Sequence, residues 1–185
     1  AFIRSDPISI PRLFSEKADI EISAFLSAAI AWGQRPVIIK NAGSLVTMMD
    51  NNPHDFILNF TENDLKPFKK FVHRTFNGID CVFFLKSLKN IYAECGGMEN
   101  SFSGKNMKER IRNFRHLFFS IKHPQRTLKH ISNPDENSAA KRLNMFLRWM
   151  VRKDDCGVDF GIWKDISASE LICPVDVHSG NVARK

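Results

Sequence analysis

The chain has 185 residues and a mass of 21.2 kDa, enough for one ordinary domain or for two small helical lobes around a shared core. Its 43% hydrophobic and 25% charged residues are globular proportions that exclude extensive disorder. The balance of 27 Lys and Arg against 20 Asp and Glu, a net +7, favours a polyanionic partner, although it also suits any soluble basic protein.

The longest nearly apolar stretch, residues 22–32, is broken by Ser23 and Ser27. It falls well short of the roughly 20 apolar residues of a bilayer crossing, so no membrane association is expected. No basic-then-apolar leader opens the chain, so no secretory signal is expected either. Cys81, Cys95, Cys156 and Cys173 are scattered without a C-x-x-C pair, so neither a zinc site nor an iron–sulfur cluster is written here. Reduced thiols and a cytoplasmic location are the expectation, with no cofactor and no metal.

Helical periodicity runs through the chain. Ile22, Phe25, Leu26, Ala29 and Ile30 fall on one helical face, with Asp19 as its expected cap. Pro36 sits where a first helical residue tolerates proline, and Ile38, Ala42, Leu45 and Met49 continue the stripe to a break at Asn52-Pro53. Asn77-Gly78 marks a turn with Asp80 as the cap of a helix carrying Phe83, Phe84, Leu88 and Ile91, which ends at Gly96-Gly97. Met107, Ile111, Phe114, Phe118 and Ile121 repeat the pattern, and Pro124 closes it. Period-two alternation is not sustained anywhere, so the predicted fold is all-α.

Most of the 16 Phe fall on predicted inner faces and read as core, although exposed ones would stack on bases or dock a partner helix. His73-Arg74 and the six Lys and Arg of residues 105–122 are candidate backbone contacts or an ordinary polar face. Asp154, Asp155 and Asp159 read as a solvated acidic loop.

Two interruptions carry more chemistry. Residues 133–137, Asn-Pro-Asp-Glu-Asn, form a polar turn between the segment around Leu128 and Ile131 and a helix beginning near Ser138, which makes a helix, a hairpin and a second helix. Cys173-Pro174-Val175-Asp176-Val177-His178 reads as a short extended piece entering a helix with Asp176 at its cap, where unpaired N–H groups favour the carboxylate. That last helical run, residues 177–185, stops with the chain, so a longer native protein is expected. Asp176 alone reads as a structural cap and Lys141 alone as a solvated charge. Together, an amine facing a carboxylate in a basic cleft can attack an electropositive carbon while the carboxylate stabilises a cationic sugar. The amine would need its pKa lowered by burial or by a neighbour such as Arg142.

Residues 138–146, Ser-Ala-Ala-Lys-Arg-Leu-Asn-Met-Phe, followed by Pro174-Val175-Asp176-Val177-His178 and Val182-Ala183-Arg184, resemble the helix-hairpin-helix DNA glycosylase superfamily. The gap from lysine to aspartate, 176 − 141 = 35 residues, is closer to the archaeal 8-oxoguanine glycosylase branch than to the common ones. Residues 25–34, ending in Trp32-Gly33-Gln34, are similar to an early glycosylase helix that leads to a glutamine-containing turn near the base pocket. Nearly the whole chain also resembles an uncharacterised bacterial family, domain of unknown function 2400.

The glycosylase resemblance implies excision of a damaged purine, such as 8-oxoguanine, from double-stranded DNA with associated lyase activity. Lys141 would be the nucleophile and Asp176 the catalytic carboxylate. Trp32, Gln34 and His178 would contact the base, and Asn137, Ser138, Ala139, Arg142 and Arg184 the DNA. Trp32 also reads as closing a core face and Gln34 as satisfying a turn. One departure stands out: glycosylase hairpins carry a Gly-x-Gly that lets a phosphate approach closely, where this chain has Asn137-Ser138-Ala139. A non-catalytic DNA- or RNA-binding module on the same scaffold is the alternative. Asp176 and His178 could also begin a metal site, but no third ligand lies at a diagnostic spacing.

Overall fold

The computed structural model describes residues 3–136, 138–175, 181–182 and 184. The fold is all-α, as the periodicity predicts: α1 (Lys17–Ala29), α2 (Arg35–Thr47), α3 (Pro53–Asn59), α4 (Gly78–Cys95), α5 (Met98–Ser101), α6 (Met107–Phe118) and α7 (Lys141–Val151). One two-stranded hairpin, β1 (Val72–His73) with β2 (Phe76–Asn77), pairs Val72 with Asn77 and His73 with Phe76 and leads directly into α4.

The central element is α1. Every residue from Asp19 to Ala29 is buried, so the helix has no wet face, and it packs against α2, α3 and α7. A helix buried on nearly all sides belongs in the middle of a domain, and its buried polar side chains, Asp19 and Glu21 among them, find partners there. Phe25 lies at its centre, with the rings of Phe84, Phe114, Phe118 and Phe146 at 5.5–5.9 Å from its own. Phe residues elsewhere follow the same rule: among the described residues none is exposed. The core reading of the phenylalanines therefore holds, and no Phe stripe among the described residues is open to bases or to a partner helix.

Asp19 does not cap its own helix. Glu16 precedes α1, and the Oδ1 of Asp19 instead accepts from His54 N–H, at 2.8 Å, in the first turn of α3. Asp80 is likewise displaced by three positions from its expected role. Asn77 is the N-cap of α4, its side chain accepting from Ile79 N–H at 3.1 Å, while Asp80 reaches back to Asn77 N–H at 3.0 Å in a reciprocal capping box. Gly78 between them is required, because a Cβ there would lie 2.0 Å from the Lys69 carbonyl oxygen. At the other end of α4, Gly96 closes the helix in the left-handed conformation, φ +68°.

After α7 the chain returns to the core through Trp163, whose indole N–H donates to Glu21 Oε1 at 2.7 Å while Tyr92 O–H donates to Oε2 at 2.8 Å. Burial raises the Glu21 carboxyl above the usual carboxylate range, against the two donors and Lys17. Beyond this anchor the chain crosses α5, where Lys164 and Asp165 N–H donate to Glu99, and α6, where Glu170 pairs with Arg110, before Leu171–Pro174 line a depression beside α7. No helix among the described residues is long and apolar enough to cross a membrane.

Candidate functional site

The hairpin differs from its expected form in one arm. Residues preceding it form a 3-10 helix, Gln125–His130, rather than an α-helix, and the turn itself is a short 3-10 piece, Pro134–Glu136. The turn is clamped to α6 through Asp135, whose two carboxylate oxygens accept from Arg112 Nε at 2.7 Å and from its Nη2 at 2.6 Å, with Lys108 at 3.5 Å. Arg112 holds the Asp135 carboxyl down to about 2. The ionised form is favoured in the fold, so this stabilisation is present above the ordinary aspartate range, near 3.8, and is lost as pH falls through about 2. Arg112→Gln is expected to bring the Asp135 titration, followed by carboxyl NMR shifts, back up towards 3.8.

The second arm begins at Ala140, not at Ser138. Ala140 is the N-cap of α7 and lies in the left-handed region, φ +46° and ψ +39°, a conformation that glycine adopts at less cost. Its methyl group is nevertheless buried, which offsets part of the strain. Ala140→Gly is therefore expected to change stability by less than about 0.5 kcal/mol, whereas Ala140→Val, β-branched at positive φ and overpacked, should cost about 2 kcal/mol in urea unfolding. A glycine-like backbone is thus built from alanine at the hairpin's exit.

The start of α7 faces a cleft of about 670 Å³. Trp32, Ser138, Ala139, Lys141, Arg142 and Pro174 line it together, so residues 109 apart in sequence (141 − 32) share one wall. On one side the cleft adjoins a depression of about 500 Å³ around Arg115, Arg126 and Lys129, sharing Ser132 and Ser138 with it. On the other, a depression of about 440 Å³ shares Lys141, Met145 and Pro174 and adds Arg148 and Arg152. Across all three, Glu136 is the only acidic lining residue among those described.

Several sequence candidates fall elsewhere or serve another purpose. Arg142 lines the cleft, but its guanidinium donates to the carbonyls of Ala29 and His130 and lies 4.6 Å from the Trp32 ring centroid, and burial lowers its pKa. It ties α7 to the end of α1. Trp32 is held as well by His73, edge-on at 5.1 Å, and by a near-parallel His130 at 6.0 Å. His73 is buried, with its ring nitrogens on Asn41 and the Trp32 carbonyl, and so is no backbone contact. Gln34 is exposed, precedes α2 as its N-cap residue and does not line the cleft. Arg184 is exposed. Asn137, Asp176 and His178 lie outside the described residues, although the segment leading to Asp176 reaches the cleft at Pro174.

Beneath Trp32 lies a polar cluster that the sequence did not announce. Asp80, fully buried, accepts from Thr127 Oγ1 at 2.8 Å and from Arg126 Nη2 at 3.2 Å, with His130 Nε2 at 3.3 Å. Burial lowers the His130 pKa despite that carboxylate, so the imidazole is neutral near pH 7. Asp159 is buried rather than part of a solvated loop, and it engages Arg148 and Arg152. Among the described residues no cluster of three His, Cys, Asp or Glu could hold a metal ion.

Fold and site together define an all-α protein with a basic groove crossing the start of its last described long helix. The chain belongs to the family described as Protein of unknown function (DUF2400), whose profile matches residues 6–185. Comparison with curated proteins and with solved structures finds no match.

Proposed function

We propose that this protein is a base-excision DNA glycosylase with associated lyase activity on a damaged purine such as 8-oxoguanine. The observation that carries the reading is the shared cleft: Lys141, Trp32, the hairpin exit and Pro174, which the resemblance would require to meet, line one basic groove. Cations continue on both sides of it, as a polyanionic strand would need.

In this mechanism Lys141 Nζ attacks C1′ of an extruded nucleotide through its lone pair, the C1′–N bond breaks, and the base leaves with the electron pair and takes up a proton. Loss of the amine proton and opening of the sugar ring give an imine, from which elimination breaks the bond to the 3′ phosphate. Asp176 stabilises the positive sugar and orients the amine, a role that rests on the sequence resemblance alone. Extrusion costs a few kcal/mol, less at a damaged base, which supplies part of the selectivity.

Borohydride trapping on duplexes containing 8-oxoguanine or an abasic site is the test. A covalent protein–DNA adduct is expected with the wild-type chain and its complete loss in Lys141→Gln. Absence of any adduct, or an undiminished one in Lys141→Gln, would overturn the assignment. The non-catalytic alternative draws on the glycine-free hairpin. It expects salt-dependent binding without an adduct, unchanged by Asp176→Asn.

A further inference from the structure

Beyond Lys141 the groove runs along α7 towards its C-terminus, and there two arginines are arranged in an unusual way. Arg148 and Arg152 are four residues apart and so lie one above the other on the helix surface. Both reach the same atom: Arg148 Nε is 3.2 Å and Arg152 Nε 3.3 Å from Oδ2 of Asp159. Asp159 is itself fixed, buried at 4% exposure, its N–H donating to Asp154 Oδ2 at 3.1 Å and its carbonyl accepting from Arg12 at 3.3 Å.

The consequence is a preorganised pair. Each guanidinium uses its Nε on the carboxylate, and none of the four Nη groups makes a hydrogen bond among the described residues. The arginine side chains are 49% and 51% exposed, and both line the depression that joins the Lys141 cleft. Two guanidiniums against one carboxylate leave a positive charge, and the planar Nη edges are the part of arginine that matches a phosphate bidentately. Rotamer freedom that a solvated arginine loses on binding is already spent here on Asp159.

We propose that Arg148 and Arg152 form a seat for one phosphate group, with Asp159 as the positioning residue that holds both guanidiniums. The source of that phosphate, a strand phosphodiester beside the nucleotide in the Lys141 cleft, rests on the glycosylase reading; the seat itself does not.

The test uses the full chain and two probes. The first is a fluorescent duplex carrying a tetrahydrofuran abasic analogue, titrated over a salt series. Arg148→Gln/Arg152→Gln should weaken binding by about tenfold or more and reduce the slope of log K against log salt by about 0.9, the signature of one phosphate. A control, Lys69→Gln/Lys86→Gln, removes the same charge from a separate depression around Ile79 and Phe83 and should do neither. Arg148→Lys/Arg152→Lys keeps the charge and the fold but loses the fork, and should also weaken binding. The second probe is inorganic phosphate, read by the arginine Nε resonances of wild-type protein. Phosphate shifts at Arg148 and Arg152 without duplex binding would keep the seat and discard the strand. Equal effects of the arginine and control variants on the duplex, or no response to either probe, would overturn it.

Discussion

Phe25→Ala is expected to cost about 3–5 kcal/mol in urea or thermal unfolding, the range for emptying a large buried aromatic site. Phe25 is the point at which α1, α4, α6 and α7 converge, and its ring meets four others, two of them edge-on. Truncation removes the transfer free energy of the ring and all four aromatic contacts at once, and four helices cannot close on the gap without leaving their own packing. Since domains are stable by only about 5–15 kcal/mol, the loss should be visible as a large drop in the denaturation midpoint. A change of less than about 1 kcal/mol would mean that the core is not centred on this ring.

Asp80→Ala is expected to be the second largest effect, about 3 kcal/mol, since it strands several donors at once. The carboxylate satisfies Asn77 N–H, Thr127 O–H and Arg126, and His130 lies 3.3 Å away. Thr127 and His130 are buried and have no water to turn to, whereas Arg126 is 39% exposed and recovers part of its solvation. The damage should also travel to the cleft. His130 stacks near Trp32 and its carbonyl anchors Arg142, so the indole fluorescence of the folded variant should shift even where unfolding has not begun. An unchanged midpoint together with an unchanged spectrum would show that Asp80 does not organise this region.

The elements legible in the sequence are those whose evidence is local. The stripe through Phe83, Phe84, Leu88 and Ile91 and its closing Gly96 give the body and the end of α4, because periodicity and a left-handed cap act within a few turns, while its start lies three residues before the expected one. Asp19 is the opposite case. A carboxylate near a helix start is a cap for whichever N–H reaches it, and in Asp19 that N–H belongs to His54, 35 residues on. The same holds at the site. Lys141, Trp32 and Pro174 carry a motif and meet in one cleft, while Gln34, taken from the same segment as Trp32, turns outward at the start of α2. Asp159 sat among other acids and read as part of a wet loop. Its burial depends on Arg148 and Arg152, whose spacing of four was visible but whose common partner was not.

The borrowed hydrogen bond at the start of α3 has a bearing on the order in which the chain acquires structure. Seven residues are too few to persist as an isolated helix in water. The acceptor that completes this one's first turn is carried by α1. Residues 53–59 are therefore expected to gain their helix together with α1 rather than ahead of it, and the native contact ties a short surface turn to the innermost rod of the molecule.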